Sequence, residues 1–102
     1  MKIVTGSEAK EDLRSLESEI RDEIGSAIED LKDDPLPENS YVIHLLDGEE
    51  IQCLKLQEED RNSDLNHRIT YDIEKDEKVR IYGVFERNPG YREIKKETQQ
   101  RM

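Results

Sequence analysis

The sequence predicts an α+β domain spanning residues 1–102, in which a short N-terminal strand and a helical hairpin pack on a twisted antiparallel β-sheet. Three observations predict it. Apolar residues recur at three- and four-residue spacing from Ala9 to Leu31, the period of one helical face. Pro35 and Pro37 then forbid the helix from continuing. Beyond them the apolar residues alternate in twos, the period of a strand with one face buried. A composition of 32% hydrophobic and 41% charged residues leans toward disorder, but the periodicity argues for a folded chain. A domain of this length hides only roughly 60–65% of its unfolded surface, so one modest core is expected.

Lys2-Ile3-Val4-Thr5 reads as a β-like run ended by Gly6. Ser7 is placed to cap a helix whose first turns carry Glu8, Glu11 and Asp12, the charge sign that suits a helix N-terminus. The stripe Ala9, Leu13, Leu16, Ile20, Ile24, Ala27, Ile28, Leu31 is read as core, and Ser15 or Ser18 as the start of a second helix. Tyr41–Leu46 and Glu49–Leu56 read as strands joined by a two-residue turn at Asp47-Gly48. In the next hairpin Leu65, His67, Ile69, Tyr71 and Ile73 alternate with polar residues, and Val79, Ile81, Gly83 and Phe85 are assigned to one face of the partner strand across Lys75-Asp76-Glu77. Asn88-Pro89-Gly90 ends the sheet. Tyr91–Met102, charged and nearly free of apolar residues, reads as a short surface helix or a disordered tail.

The net charge of −10 opposes nonspecific nucleic-acid binding, which phosphates drive. The charge is uneven: residues 1–38 carry five bases against twelve acids, 39–66 two against seven, and 67–102 nine against seven. A local basic surface is therefore confined to the C-terminal third. Cys53, the one cysteine, lies in the apolar run Ile51, Cys53, Leu54, Leu56 and reads as an inert core thiol. No stretch approaches the roughly 20 apolar residues of a membrane helix, and the first residues lack the apolar region of a signal peptide, so the cytoplasm is the expected location.

The order of strand, helical hairpin and hairpin-rich sheet, with Asp34-Pro35 leaving the helices, His67-Arg68-Ile69-Thr70-Tyr71 on one strand and Phe85-Glu86-Arg87 ending the next, resembles the RelE/ParE superfamily of type II toxins across nearly the whole chain. The resemblance implies a toxin silenced by an antitoxin that wraps it. RelE-like members cut mRNA on the ribosome without a metal, whereas ParE-like members poison DNA gyrase, and a shared fold does not choose between them. Carried over residue by residue, the ribonuclease branch implies catalytic roles for Lys55, Arg68, Arg87 and Tyr91. Cys53 stands where such members often have a second basic residue. The set suits attack by an RNA 2′-hydroxyl, which requires cations around a crowded phosphate and groups that move protons. Arginine adds a fixed fork of donors for phosphate oxygens.

Blander readings stand beside these. Arg68 and Arg87 could each pair with one of the many surface carboxylates. His67 is either structural or a proton carrier beside Arg68; His44 fills core or edge, and Tyr71 is core. A different class of function is an acidic protein of the same fold that binds calcium or a regulatory partner. Asp60, Asn62 and Asp64 follow the opening pattern of a calcium loop, but Leu65 and Tyr71 occupy the positions where that motif needs Gly and Glu. Asp33, Asp34 and Glu38, or Asp47, Glu49 and Glu50, are further oxygen donors for such an ion. A third reading is an interaction module that holds a partner peptide without catalysis.

Overall fold

The computed structural model describes residues 1–57, 65–87 and 90–102. In chain order the elements are β1 (Lys2–Thr5), α1 (Ser7–Arg14), α2 (Ser18–Asp30), β2 (Ser40–His44), β3 (Glu50–Gln57), β4 (Asn66–Glu74), β5 (Lys78–Glu86) and α3 (Tyr91–Arg101). The sheet runs β1-β5-β4-β3-β2. Strands β2 to β5 form the expected antiparallel meander, and β1 adds a parallel edge strand beside β5, with Lys2 opposite Lys78 and Thr5 opposite Ile81.

Gly6, rather than Ser7, caps α1. Its N–H continues the β1–β5 ladder by donating to the Ile81 carbonyl (3.0 Å), so the strand's extended backbone runs straight into the helix. Ser15 closes α1 by donating its hydroxyl to the Asp12 carbonyl (2.8 Å), and α2 opens at Ser18. The apolar stripe is core, as its period predicts. Ala9, Ile24, Ile28 and Leu31 pack with Leu54, Ile69, Tyr71, Val79, Ile81 and Val84 against one face of the sheet. Tyr71, fully buried, donates its hydroxyl to the Pro35 carbonyl (2.7 Å), which ties the exit from the helices to the centre of the sheet.

Three local expectations change. The first hairpin has a three-residue loop, Leu46–Gly48: Leu45 and Glu49 still pair (2.8 Å), and only Gly48 has a positive φ, 87°. A two-residue turn of the type Asp-Gly favours needs positive φ at both residues, and Asp47 lacks it. The second change is in β5. Thr70 faces Gly83 and Tyr71 faces Ile81, so Tyr82 is an extra residue, a β-bulge that reverses the alternation. Val79 and Ile81 therefore share the helical face with Val84, while Gly83 and Phe85 turn to the other face. A Cβ on Gly83 would collide with the Phe85 ring and stand 2.7 Å from Arg101 Nη1.

The third change is the C-terminal segment, which is a docked helix. Gly90, at φ 128°, makes the entry that an L-residue with a side chain rarely adopts. Ile94 and Thr98 are buried. The Thr98 and Thr70 hydroxyls, both fully buried, bond to each other (3.0 Å). At the far end Arg101 reaches round β5: it donates to Asp12 of α1 (2.6 Å) and to the Tyr82 carbonyl (3.1 Å), with its guanidinium 4.9 Å from the Phe85 ring centre. Asp12 also accepts the Val84 N–H (3.0 Å), so one carboxylate joins α1, β5 and α3.

Candidate active site

The sheet face under α3 carries the groups singled out in the sequence. Lys55 on β3 is directly opposite Arg68 on β4, and Arg68 opposite Phe85 on β5. Side chains directly opposite one another share a face. Arg87 follows the end of β5, its N–H bonded to the Asn66 carbonyl (3.0 Å), and Tyr91 opens α3. The register of the sheet and the start of one helix thus bring Lys55, Arg68, Arg87 and Tyr91 to one region.

Their geometry centres on Tyr91. Arg68 donates from Nε to the Tyr91 hydroxyl (3.0 Å), and the Arg87 guanidinium lies 4.5 Å from the centre of the Tyr91 ring. That is within the range in which a cation is drawn to an aromatic face. Arg68 is only 4% exposed; its Nη1 donates to Asn66 Oδ1 (3.1 Å) and to the His67 carbonyl (3.0 Å). A buried charge is normally paired. Here the hydrogen-bond partners of Arg68 are neutral, and among the described residues neither Arg68 nor Arg87 forms an ion pair with a carboxylate. Arg87 is half-buried and Lys55 exposed. The site thus has an inner cation beneath Tyr91 and two outer cations nearer solvent.

Tyr41 on β2 also belongs to this cluster, a placement the sequence pattern does not predict. Its hydroxyl bonds to that of Tyr91, and the two rings meet edge to face, centres 6.2 Å apart at 69°. Cys53, opposite Tyr41 in the ladder and fully buried, donates its S–H to the Tyr41 oxygen (3.5 Å). Burial pushes the Cys53 thiol up against the opposing pulls of Tyr41 and Arg68, keeping it a thiol. Burial, then the bond to Tyr91, pushes the Tyr41 phenol up as well. In the sequence Tyr41 is one more aromatic strand residue, and its parity with Cys53 was the available signal.

Other residues lie elsewhere. His67 is on the opposite, helical face, 3% exposed; its Nδ1 accepts the Asn66 N–H (3.2 Å) and its buried Nε2 has no hydrogen-bond partner among the described residues. Burial holds its pKa below the ordinary 6.5. It borders a cleft of about 360 Å³ between the α1–α2 connection and the ends of β4 and β5, which Arg87 also lines. His44 is exposed at the β2 edge and bonds to Glu50 (3.0 Å), so it fills an edge rather than the core. Asp60, Asn62 and Asp64 lie outside the described residues. Among the described residues no three His, Cys, Asp or Glu side chains converge to hold a metal ion, so the two further acidic groups named above do not form such a site. No described helix is long and apolar enough to cross a membrane.

A helical hairpin on one face of a five-stranded mixed sheet and a C-terminal helix on the other make a RelE-like fold. The free-state structure of an E. coli toxin RelE mutant with two arginines changed to alanine is similar, with a TM-score of 0.68 at 19% identity over 99% of this chain and 96% of that one. A chain of the intact E. coli RelBE toxin-antitoxin complex gives 0.54 at 17% over 83% and 94%. No family model and no curated protein matches the sequence.

Proposed function

We propose that this chain is a RelE-like toxin that cuts mRNA on the ribosome and is neutralised by an antitoxin. The observation that carries the reading is the convergence on one tyrosine of two arginines that form no ion pair among the described residues, with a third cation, Lys55, opposite the inner arginine. The fold shared with a toxin, and with a chain of a toxin-antitoxin complex, supports the biological class.

In the proposed reaction the 2′-oxygen of the RNA attacks the adjacent phosphorus and its proton leaves to a solvent base. The bond from phosphorus to the 5′-oxygen breaks, and that oxygen takes a proton from the Tyr91 hydroxyl, leaving a cyclic phosphate and a 5′-hydroxyl. Arg87 and Lys55, the more accessible cations, offset charge on the phosphate oxygens. Arg68 acts through Tyr91, its Nε–H stabilising the phenolate that forms.

The test is inducible expression in bacteria with growth and bulk translation followed. The natural chain should arrest growth and stop translation. The Arg68→Ala, Arg87→Ala double variant, and Arg87→Ala alone, should abolish both while remaining folded by circular dichroism. Growth should return when a cognate antitoxin from a flanking small gene is expressed. Harmless accumulation of folded natural chain would overturn the reading.

A further inference from the structure

We infer that Tyr41 is a positioning residue that aims the Tyr91 hydroxyl proton outward, toward substrate; this role in catalysis rests on the nuclease reading above. The argument is one of donor counting. The Tyr91 oxygen has two lone pairs and one proton. Arg68 Nε can only donate, and its 3.0 Å bond occupies one lone pair. The bond between the two tyrosines then has two possible directions.

If Tyr91 were the donor, its proton would be spent on Tyr41, and the proton of the half-buried Tyr41 would be left to water or to the sulfur of Cys53, a weak acceptor. If Tyr41 is the donor, the three donors behind the Tyr91 hydroxyl each have an oxygen acceptor within the protein. Cys53 S–H gives to Tyr41 (3.5 Å), Tyr41 O–H gives to Tyr91, and Arg68 N–H gives to Tyr91. Burial favours this direction by keeping Cys53 a thiol, able to donate. Both lone pairs of Tyr91 are then occupied, and its own O–H is the group left to reach an outside acceptor.

Packing gives the arrangement its rigidity. Tyr41 and Tyr91 pack beside the small apolar cluster of Ile43, Leu45, Ile51 and Cys53, so the first residue of α3 is fixed to the β2–β3 edge of the sheet. A tyrosine proton aimed by fixed neighbours needs no reorientation when charge develops, which is where preorganised groups accelerate a reaction.

The experiment compares the natural chain, Tyr41→Phe, Tyr91→Phe and the double variant in mRNA cleavage on programmed ribosomes, together with the ring Cζ resonances of 13C-labelled tyrosine. Tyr41→Phe keeps the ring packing and removes one hydroxyl. It should lower kcat about tenfold, the worth of one well-placed hydrogen bond, and leave KM unchanged. It should have no further effect in the Tyr91→Phe background, and it should shift the Tyr91 Cζ resonance. Full activity in Tyr41→Phe, or an equal loss in both backgrounds, overturns the proposal. An unmoved Tyr91 resonance overturns it whether or not the chain cuts RNA. Absence of cleavage by the natural chain with the resonance shifted would instead refute the nuclease reading and leave the Tyr41–Tyr91 coupling established.

Discussion

The two faces of the sheet are held by different forces. Under α1 and α2 the contact is apolar and continuous, from Ala9 and Ile24 through Ile69 and Tyr71 to Val79 and Ile81. Under α3 only Ile94 supplies a fully buried aliphatic side chain from the helix, and the rest is a set of directed polar contacts: Tyr91 with Arg68 and Tyr41, Thr98 with Thr70, Arg101 with Asp12. Apolar burial is non-directional and tolerates small shifts. Hydrogen bonds fix geometry but contribute only about 1 kcal/mol each on net. The first face provides stability, and the second provides the orientation a candidate active site needs.

The contrast can be broken at four points. Ile24→Ala removes a fully buried side chain from the apolar face. It should cost about 2–5 kcal/mol by urea denaturation, the range for a large aliphatic cut to alanine in a core. Asp12→Ala removes the carboxylate shared by Arg101 and the Val84 N–H. A loss of about 1–3 kcal/mol is expected, and amide hydrogen exchange should show faster exchange in α3 than in α2. If the α3 amides stay as protected as before, the polar face does not depend on this carboxylate.

Thr70→Val and Thr98→Val each leave the other hydroxyl buried without its partner. Each alone should cost about 1 kcal/mol, and the pair together less than the sum, because replacing both partners by apolar groups of the same shape removes the unpaired group. Strict additivity in thermal denaturation would show that the two hydroxyls do not couple.

The smallest effect concerns His67 and pH. Its folded pKa lies below the ordinary 6.5 because burial disfavours the charged ring. The unfolded chain therefore binds the proton first, and the contribution of neutral His67 is complete above about pH 6.5 and lost as pH falls from there through the folded value. The stability of the natural chain should fall more steeply below pH 6.5 than that of His67→Leu, in which this titration is absent. Parallel pH curves would mean the ring is equally protonated in both states.

The same contrast governs what could be read in advance. The helical stripe, the helix-ending prolines, the strand pairs and the core positions Ile69 and Tyr71 are local patterns, and each appears where its period places it. The resemblance named Lys55, Arg68, Arg87 and Tyr91; their meeting in one region comes from the sheet register and the start of α3. The positions of Gly83 and Phe85 were not legible, because one extra residue at Tyr82 reverses the alternation and only pairing with β4 reveals it. Nor was the burial of Arg68, since exposure depends on a helix that begins 23 residues later.

What the sequence determined by itself is the part made by short-range chemistry: helix period, strand alternation, turn residues and the apolar set that must leave water. Only the tertiary structure decided which polar groups meet. Tyr41 finds Tyr91 across 50 residues and Asp12 finds Arg101 across 89. Such pairs leave no periodic trace in the chain, because each depends on the position of two elements that are themselves placed by the apolar core.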